Sequence, residues 1–458
     1  MLRGMKSTKY HFGSALTAKG WQEDVTVAVG PAGMIESVGQ GTRGGHHIKG
    51  IAVPAVPNVH SHAHQRLMLG LAERAGPTAD SFWTWRETMY GFALRLSPQD
   101  LHAVAAQAYV EMLKSGFSVV GEFQYLHHQP DGKPYANRAE MSLACLAAAD
   151  EAGIAITLLP TLYAYGGFGG QAPGAGQRRF LNGADGFLEI YEALVKEADD
   201  HQLHRVGISP HSLRAVRPEL LREVLQGIDS LSSIHIHVAE QTREVDDCLA
   251  FVGCRPVEML LENFDVSERW TAIHATHMTA EETRRLATTG AIAGLCPTTE
   301  ANLGDGIFPA VDFLQAEGAI AIGSDSHISV SPAEDLRMLE YSQRLRDRTR
   351  NALAGGPGQS TGRSLFEAAC RGGATSMAQS VGAIAPRFRA DIIVLDDDHP
   401  SLIGREHDAA LDTWIFSAGN ALVKDVLVAG RHVIKDRHHP SEEVIARRFG
   451  AAIRRLSA

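Results

Sequence analysis

The sequence predicts an α/β fold: a (β/α)8 TIM-like barrel with a small β-sandwich domain built from both termini. Three observations lead there. Eight short apolar, β-branched runs recur along the middle of the chain, amphipathic helical segments separate several of them, and the strand patterns at the two ends fall outside that rhythm. Strands alternating with helices make parallel βα units, and eight such units are the number that closes a barrel.

In order, the runs are residues 51–59 (IAVPAVPNV), 118–123 (SVVGEF), 154–159 (IAITLL), 206–209 (VGIS), 233–238 (SIHIHV), 271–273 (TAI), 291–295 (AIAGL) and 319–322 (AIAI). Residues 98–115, 137–151, 218–227 and 280–289 carry helical apolar patterns between them. Before the first run, residues 25–39 (VTVAVGPAGMIESVG) read as a hairpin turned at 30–33. After the last, residues 390–395 (ADIIVL) and 425–434 (DVLVAGRHVI) read as short strands around turns. The expected division is a sandwich domain of residues 1–53 and 386–458 beside a barrel of residues 54–385. Two Gly-rich stretches, 166–176 and 355–362, match no phosphate-binding loop and read as surface loops; the first, after strand three, is also placed to act as a lid.

Composition narrows the function. Against 43 Lys and Arg stand 53 Asp and Glu, a net charge of −10, which argues against a nucleic-acid-coating or membrane-surface protein. The 44% of hydrophobic residues in 458 is enough for a sizeable core. Cys145, Cys248, Cys254, Cys296 and Cys370 are scattered and never form a CxxC, so neither a disulfide framework nor a zinc ribbon is expected. The first residues lack the apolar core of a signal peptide and no run of 18 apolar residues occurs, so the expected location is cytoplasmic. The partner expected is a small-molecule substrate, with no nucleic acid or membrane, in a homodimer.

In a parallel barrel the C-terminal ends of all strands converge on one mouth, so the residues ending each run are the ones to inspect. The first run delivers His60 and His62, two residues apart and therefore on the same side of a strand. The fifth delivers His237 and, three residues on, Glu240; the sixth delivers His274, with His277 beyond; the eighth delivers Asp325 in GSDSH, with His327. Taken singly, each His reads as a hydrogen-bonded structural residue, and Asp325 as a helix cap. Independent structural roles would not fall together on strand ends one, five, six and eight. Three or four imidazoles and one carboxylate at one mouth read as metal chemistry, Zn2+ or Fe2+, with ligand or direct metal-site roles for His60, His62, His237 and Asp325.

HxH after strand one, His after strands five and six and Asp after strand eight resemble the amidohydrolase superfamily, over essentially the whole chain including the terminal pieces. Binuclear members carry a carboxylated Lys at the end of strand four, where this chain has Gly207-Ile208-Ser209-Pro210-His211, so the resemblance implies a mononuclear, deaminase-type site. In that branch HxxE after strand five supplies a ligand and the catalytic acid, and His237-Val238-Ala239-Glu240 fits. Residues 60–66 (HSHAHQR), 81–90 (SFWTWRETMY), 121–130 (GEFQYLHHQP), 209–216 (SPHSLRAV), 273–279 (IHATHMT) and 323–331 (GSDSHISVS) are similar to the formimidoylglutamate deiminases. That resemblance implies hydrolysis of N-formimidoyl-L-glutamate to N-formyl-L-glutamate and ammonia. It also implies Glu240, His274 and Asp325 as catalytic residues, and Gln65, Arg86, Tyr125, His211 and Arg214 as substrate contacts. Such a dianionic substrate needs guanidinium groups, and Arg86 and Arg214 would supply them. Without the resemblance, Arg86 reads as a surface helix charge, and Trp83 and Trp85 as packing. A heterocycle deaminase of purine, pterin or triazine type, or a non-catalytic scaffold of the same fold, are the alternatives. A cytidine-deaminase fold is excluded by the absence of PCxxC.

Overall fold

The computed structural model describes residues 7–41, 44–73, 82–199 and 201–457. Five strands open the chain: β1 (Thr8–Thr17), β2 (Gly20–Val29), β3 (Ile35–Gln40), β4 (His46–His47) and β5 (Ile51–Pro54). Nine follow in the central part: β6 (Val56–Ser61), β7 (Phe117–Gln124), β8 (Ala155–Leu162), β9 (His204–Val206), β10 (Ser209–Pro210), β11 (Ile234–Val238), β12 (Trp270–His274), β13 (Ile292–Leu295) and β14 (Ala319–Ile322). Three more, β15 (Ile392–Leu395), β16 (Val423–Val428) and β17 (Arg431–Ile434), return to the first group.

The two ends of the chain meet in one mixed sheet of order β17-β16-β15-β5-β1-β2-β3, with β4 on β1. The joint is β5, parallel to β1 on one side and antiparallel to β15 on the other. The expected hairpin is there as β2 and β3, closed by Gly30 N–H donating to Met34 O. Phe12, Val25, Val27, Ile35, Ile392 and Leu427 form a buried cluster of this sheet's own.

The central strands form two parallel sheets, β6-β7-β8 with β9 and β10, and β11-β12-β13-β14. Single parallel bridges join them at both seams, Ile208 to Ile234 and Ser61 to Asp325, so hydrogen bonding runs around a ring. β7 and β8 are buried along their whole length, as strands of a parallel sheet covered on both faces must be.

Two runs divide differently from the sequence pattern. Residues 51–59 read as one strand, yet the chain changes sheets at Ala55: β5 belongs to the terminal sheet and β6 opens the ring. Pro54 and Pro57 lack the N–H that would continue a ladder, and the amides between them go to different partners, Ala55 N–H to Asp391 O and Val56 N–H to Gly116 O. Residues 206–209 are likewise split into β9 and β10 around Gly207, where a Cβ would lie 2.6 Å from Ser233 O. β1 and the C-terminal helix Glu442–Ser457 have no counterpart in the sequence reading. That helix packs on the helix Pro98–Ser115, where Lys114 Nζ meets Glu442 Oε2 at 2.7 Å. The five cysteines are free, and no helix among the described residues is long and apolar enough to cross a membrane. The Trp83 side chain lies outside the described residues.

The helix Thr361–Ser376 seals the outside of the seam between β6 and β14 with its backbone nearly bare. A Cβ at Gly372 would stand 2.1 Å from Ile320 O on β14, and one at Gly373 would stand 2.8 Å from the Pro57 ring on β6. Close packing leaves no room to relax such a contact without moving backbone. Gly372→Val should therefore destabilise the protein by about 1–3 kcal/mol. Thermal unfolding scanned at one fixed rate checks this, and a midpoint equal to that of the parent would contradict the packing described.

Candidate active site

The seam between β6 and β14 is also where the chemistry begins. Asp325 N–H donates to His60 O and His62 N–H to Asp325 O, so two backbone bonds set the end of β6 against the segment after β14. Gly323 permits this approach, since a Cβ there would lie 2.8 Å from both the backbone N and the Cβ of His60. His60, His62, His237, His274 and Asp325 are all buried at the C-terminal ends of their strands. His274 and Asp325 themselves adopt left-handed backbone conformations, φ 66° and 44°, as do Ala239 and Ala275. Non-glycine residues held there store local strain, a common feature of functional sites.

The imidazoles face one another through their Nε2 atoms. His62 Nδ1–H donates to Phe123 O at 2.9 Å and His237 Nδ1–H to His211 O at 2.9 Å, which fixes both tautomers and leaves both Nε2 atoms as lone pairs. His237 Nε2 lies 3.1 Å from His60 Nε2, and Asp325 Oδ1 lies 3.4 Å from His60 Nε2 and 3.6 Å from His62 Nε2. At most one proton fits among these atoms, so buried lone pairs remain that a cation would satisfy. Burial pushes His60 and His237 well below the usual imidazole pKa and lowers His62 too, so these rings are neutral, as metal ligands must be. Two overlapping groups, His60 with His62 and His237, and His60 with His274 and Asp325, could each hold a divalent ion such as Zn2+.

His274 differs from the other three. Its Nε2 stands 3.8 Å from Glu240 Oε1 and 3.9 Å from Asp325 Oδ2, while Nδ1 meets Glu300 Oε1 at 3.2 Å. Burial opposes its charge, but the Glu240, Glu300 and Asp325 carboxylates outweigh that and raise its pKa to about 10. Burial chiefly raises Glu240, to about 7. An imidazolium donor and a carboxyl group able to carry a proton near neutrality thus face each other across the site.

Above this floor, one cavity brings together His62, His237, His274, Glu240 and Asp325 with Gln65, Arg86, Tyr125, His211 and Arg214. His60 lies beneath them, fully buried. Arg86 comes from the helix Phe82–Ala93 and stacks over Tyr90, 5.5 Å from the ring centroid. Gln65 follows β6 and donates Nε2–H to Tyr125 OH at 3.1 Å. Arg214 sits in the segment after β10, buried; burial works against its charge, yet Glu244, Tyr163 and Glu240 leave its pKa above the usual guanidinium value. Trp85 lines the same cavity, so it serves the site as well as packing.

His327 and His277 make their hydrogen bonds away from the cluster of His60, His62, His237 and Asp325. His327 bridges Ser61 Oγ and Ser324 Oγ at 3.1 and 3.0 Å, behind the HxH segment. His277 Nε2–H donates to Asp305 O. Two buried carboxylates that hold these histidine segments were not anticipated from the sequence. Glu122, at the end of β7, accepts from Ser61 Oγ at 2.5 Å and from Ala63 N–H at 2.8 Å, clasping the backbone on either side of His62. Glu300, in the first turn of the helix Pro297–Leu303 that follows β13, accepts from Cys296 N–H and holds His274. Both follow strand ends, so the strand-end rule reaches them once strands two and seven are inspected.

The profile of the amidohydrolase family matches residues 51–433. The chain belongs to the amidohydrolase family. Over 440 residues it is 49% identical to the formimidoylglutamate deiminase of Pseudomonas aeruginosa, covering 95% of this chain and 96% of that protein. Among solved structures, an amidohydrolase from Brucella melitensis superposes with a TM-score of 0.93 at 46% identity, covering 99% of this chain and 100% of that one. A zinc-bound adenosine deaminase from Xanthomonas campestris has a TM-score of 0.82 at 20% identity, covers 99% of each chain and shares the fold. TIM-barrel-type architecture therefore holds for this amidohydrolase.

Removing the Glu300 charge takes away one of the anions that sustain the His274 proton. In metal-free protein, Glu300→Gln should lower the His274 pKa from about 10 towards the ordinary imidazole value. Histidine titration by NMR reads this, and an unshifted His274 would contradict the pairing.

Proposed function

We propose that this amidohydrolase hydrolyses N-formimidoyl-L-glutamate to N-formyl-L-glutamate and ammonia, using one Zn2+ per subunit. Fe2+ is the other borderline ion that the donor set accommodates. The observation that carries the reading is one cavity holding a metal-type donor cluster on its floor and two guanidinium groups, Arg86 and Arg214, on its walls. The identity to a deiminase over nearly the full length of both chains supports it. A neutral purine, pterin or triazine has no use for two arginines, which sets those substrates aside.

His60, His62, His237 and Asp325 would hold the ion, which, when bound, lowers the pKa of a coordinated water towards 7. Asp325 takes a proton from the attacking water, whose oxygen bonds to the formimidoyl carbon and makes it tetrahedral. His274 Nε2–H hydrogen-bonds the water or the developing tetrahedral centre. On the amidinium form of the substrate the attack leaves a terminal –NH2; Glu240 gives its proton to that nitrogen, the carbon–nitrogen bond breaks, ammonia leaves, and the hydroxyl proton passes to the Glu240 carboxylate as the formyl carbonyl forms. Arg86 and Arg214 each engage a carboxylate, with Gln65, Tyr125 and His211 aligning the chain between. We read the terminal sheet with its own buried cluster as the small sandwich domain of residues 1–53 and 386–458 beside the barrel of 54–385, and the assembly as a homodimer in the cytoplasm.

An ammonia-release assay on N-formimidoyl-L-glutamate, with the product identified by mass, tests the reading; no release from metal-loaded protein would overturn it. Elemental analysis should return about one equivalent of divalent metal per chain, with activity lost on chelation. Two tightly held, catalytically needed ions would contradict the mononuclear site.

Glu240→Gln should keep metal and fold while kcat falls by roughly 10² to 10⁴. Loss of metal from that variant would instead make Glu240 a ligand.

Substrate choice follows from the two arginines. Each carboxylate contact is worth roughly 1.5–3 kcal/mol, so a substrate lacking one carboxylate should lose about ten- to a hundredfold in kcat/KM. Equal kcat/KM for formimidoylglutamate and formimidoylglycine would remove the basis for the proposed substrate.

A further inference from the structure

Glu244 is a buried carboxylate to which the reaction above gives no task. It stands in the first turn of the helix Thr242–Val252, third after the N-cap Gln241. A Glu there ordinarily reaches back to the N-cap amide. Here it reaches further: Oε2 accepts from Glu240 N–H at 3.1 Å and Oε1 from Ala239 N–H at 3.4 Å. Those two amides belong to the turn between the metal-type ligand His237 and the proposed acid. Ala239 holds φ at 52° in that turn, a conformation an alanine adopts only when its surroundings impose it. The same carboxylate is, after burial, the leading charged influence on Arg214, and Arg214 on it; Arg214 lines the same cavity as Glu240.

We propose that Glu244 is a positioning residue that ties the turn presenting Glu240 to the carboxylate-binding Arg214. One buried anion thereby sets the distance between the proton donor and the group that anchors the substrate. Orientation of this kind enters kcat directly, since a displacement of about 1 Å in a reacting group can cost a hundredfold. The roles of Glu240 and Arg214 rest on the function proposed above; the hydrogen bonds and charge contact of Glu244 do not.

The test has three arms, run on metal-loaded protein with metal content matched. In kinetics, Glu244→Ala should lower kcat on N-formimidoyl-L-glutamate by about 10- to 100-fold in the parent but less than about threefold in a Glu240→Gln background, because the acid it aims is already gone. A helix-capping role alone would lower stability and give the same factor in both backgrounds, which would overturn the proposal. In calorimetry, affinity for N-formyl-L-glutamate should fall about tenfold, and unchanged affinity would overturn the Arg214 half. In hydrogen exchange, the Ala239 and Glu240 amides should exchange at least about tenfold faster in Glu244→Ala, with the rest of the helix Thr242–Val252 protected as before. Unchanged exchange at those two amides would overturn the positioning of the turn. Should Glu244→Ala fail to fold, Glu244→Gln, which offers a single acceptor oxygen, carries all three arms with smaller effects in the same direction. If the parent releases no ammonia, the proposed function fails, and the exchange arm still decides whether Glu244 holds the turn.

Discussion

The meeting of β6 with the segment after β14 is the constraint on which the rest of this structure depends. Two backbone hydrogen bonds, His62 N–H to Asp325 O and Asp325 N–H to His60 O, close one seam of the strand ring and in the same act bring two imidazoles to a carboxylate. Fold closure and donor cluster are therefore one event. Gly323, Gly372 and Gly373 sit around that seam because side chains there would push the strands and their covering helix apart. Glu122 bonds across the HxH segment and His327 fills in behind it, so the two ligand-type histidines are fixed on several sides.

Burial then divides the titratable groups into two kinds. Burial keeps His60, His62 and His237 neutral, and the Nδ1–H groups of His62 and His237 donate to backbone oxygens, leaving their Nε2 lone pairs inward. His274, against Glu240, Glu300 and Asp325, takes the opposite state. The same floor thus offers a cation site and, a few ångströms away, a proton donor. The walls add positive charge, with Arg86 brought in by the helix Phe82–Ala93 and Arg214 by the segment after β10. The buried Glu244 carboxylate balances Arg214.

Much of this was legible because barrel strands end at one mouth. His60, His62, His237, His274 and Asp325 could be read from the ends of four apolar runs, and the structure brings all five residues together. Less legible were groups whose role is to hold another residue. Glu122 ends an apolar run and Glu300 lies a few residues after one, but a lone acid there carries no spacing signal, and neither belongs to a ligand-like pair. Arg86 sits in a helical segment that the sequence alone would place at the surface, and only the family resemblance set it in the site. Within the fold, β1 went unread because TKYHFGSALT mixes charged and small residues into its alternation, and the β5–β6 division was hidden by a run that stays apolar through both prolines. In each case the deciding partner lies far away in sequence, where local pattern has no access to it.

A crystal structure of metal-loaded protein with N-formyl-L-glutamate, using anomalous scattering to locate the ion, tests the central claim most directly. The account predicts one ion bonded to Nε2 of His60, His62 and His237 and to the Asp325 carboxylate, with the product carboxylates on Arg86 and Arg214. An ion bound elsewhere, or product carboxylates that leave both arginines unengaged, would contradict it.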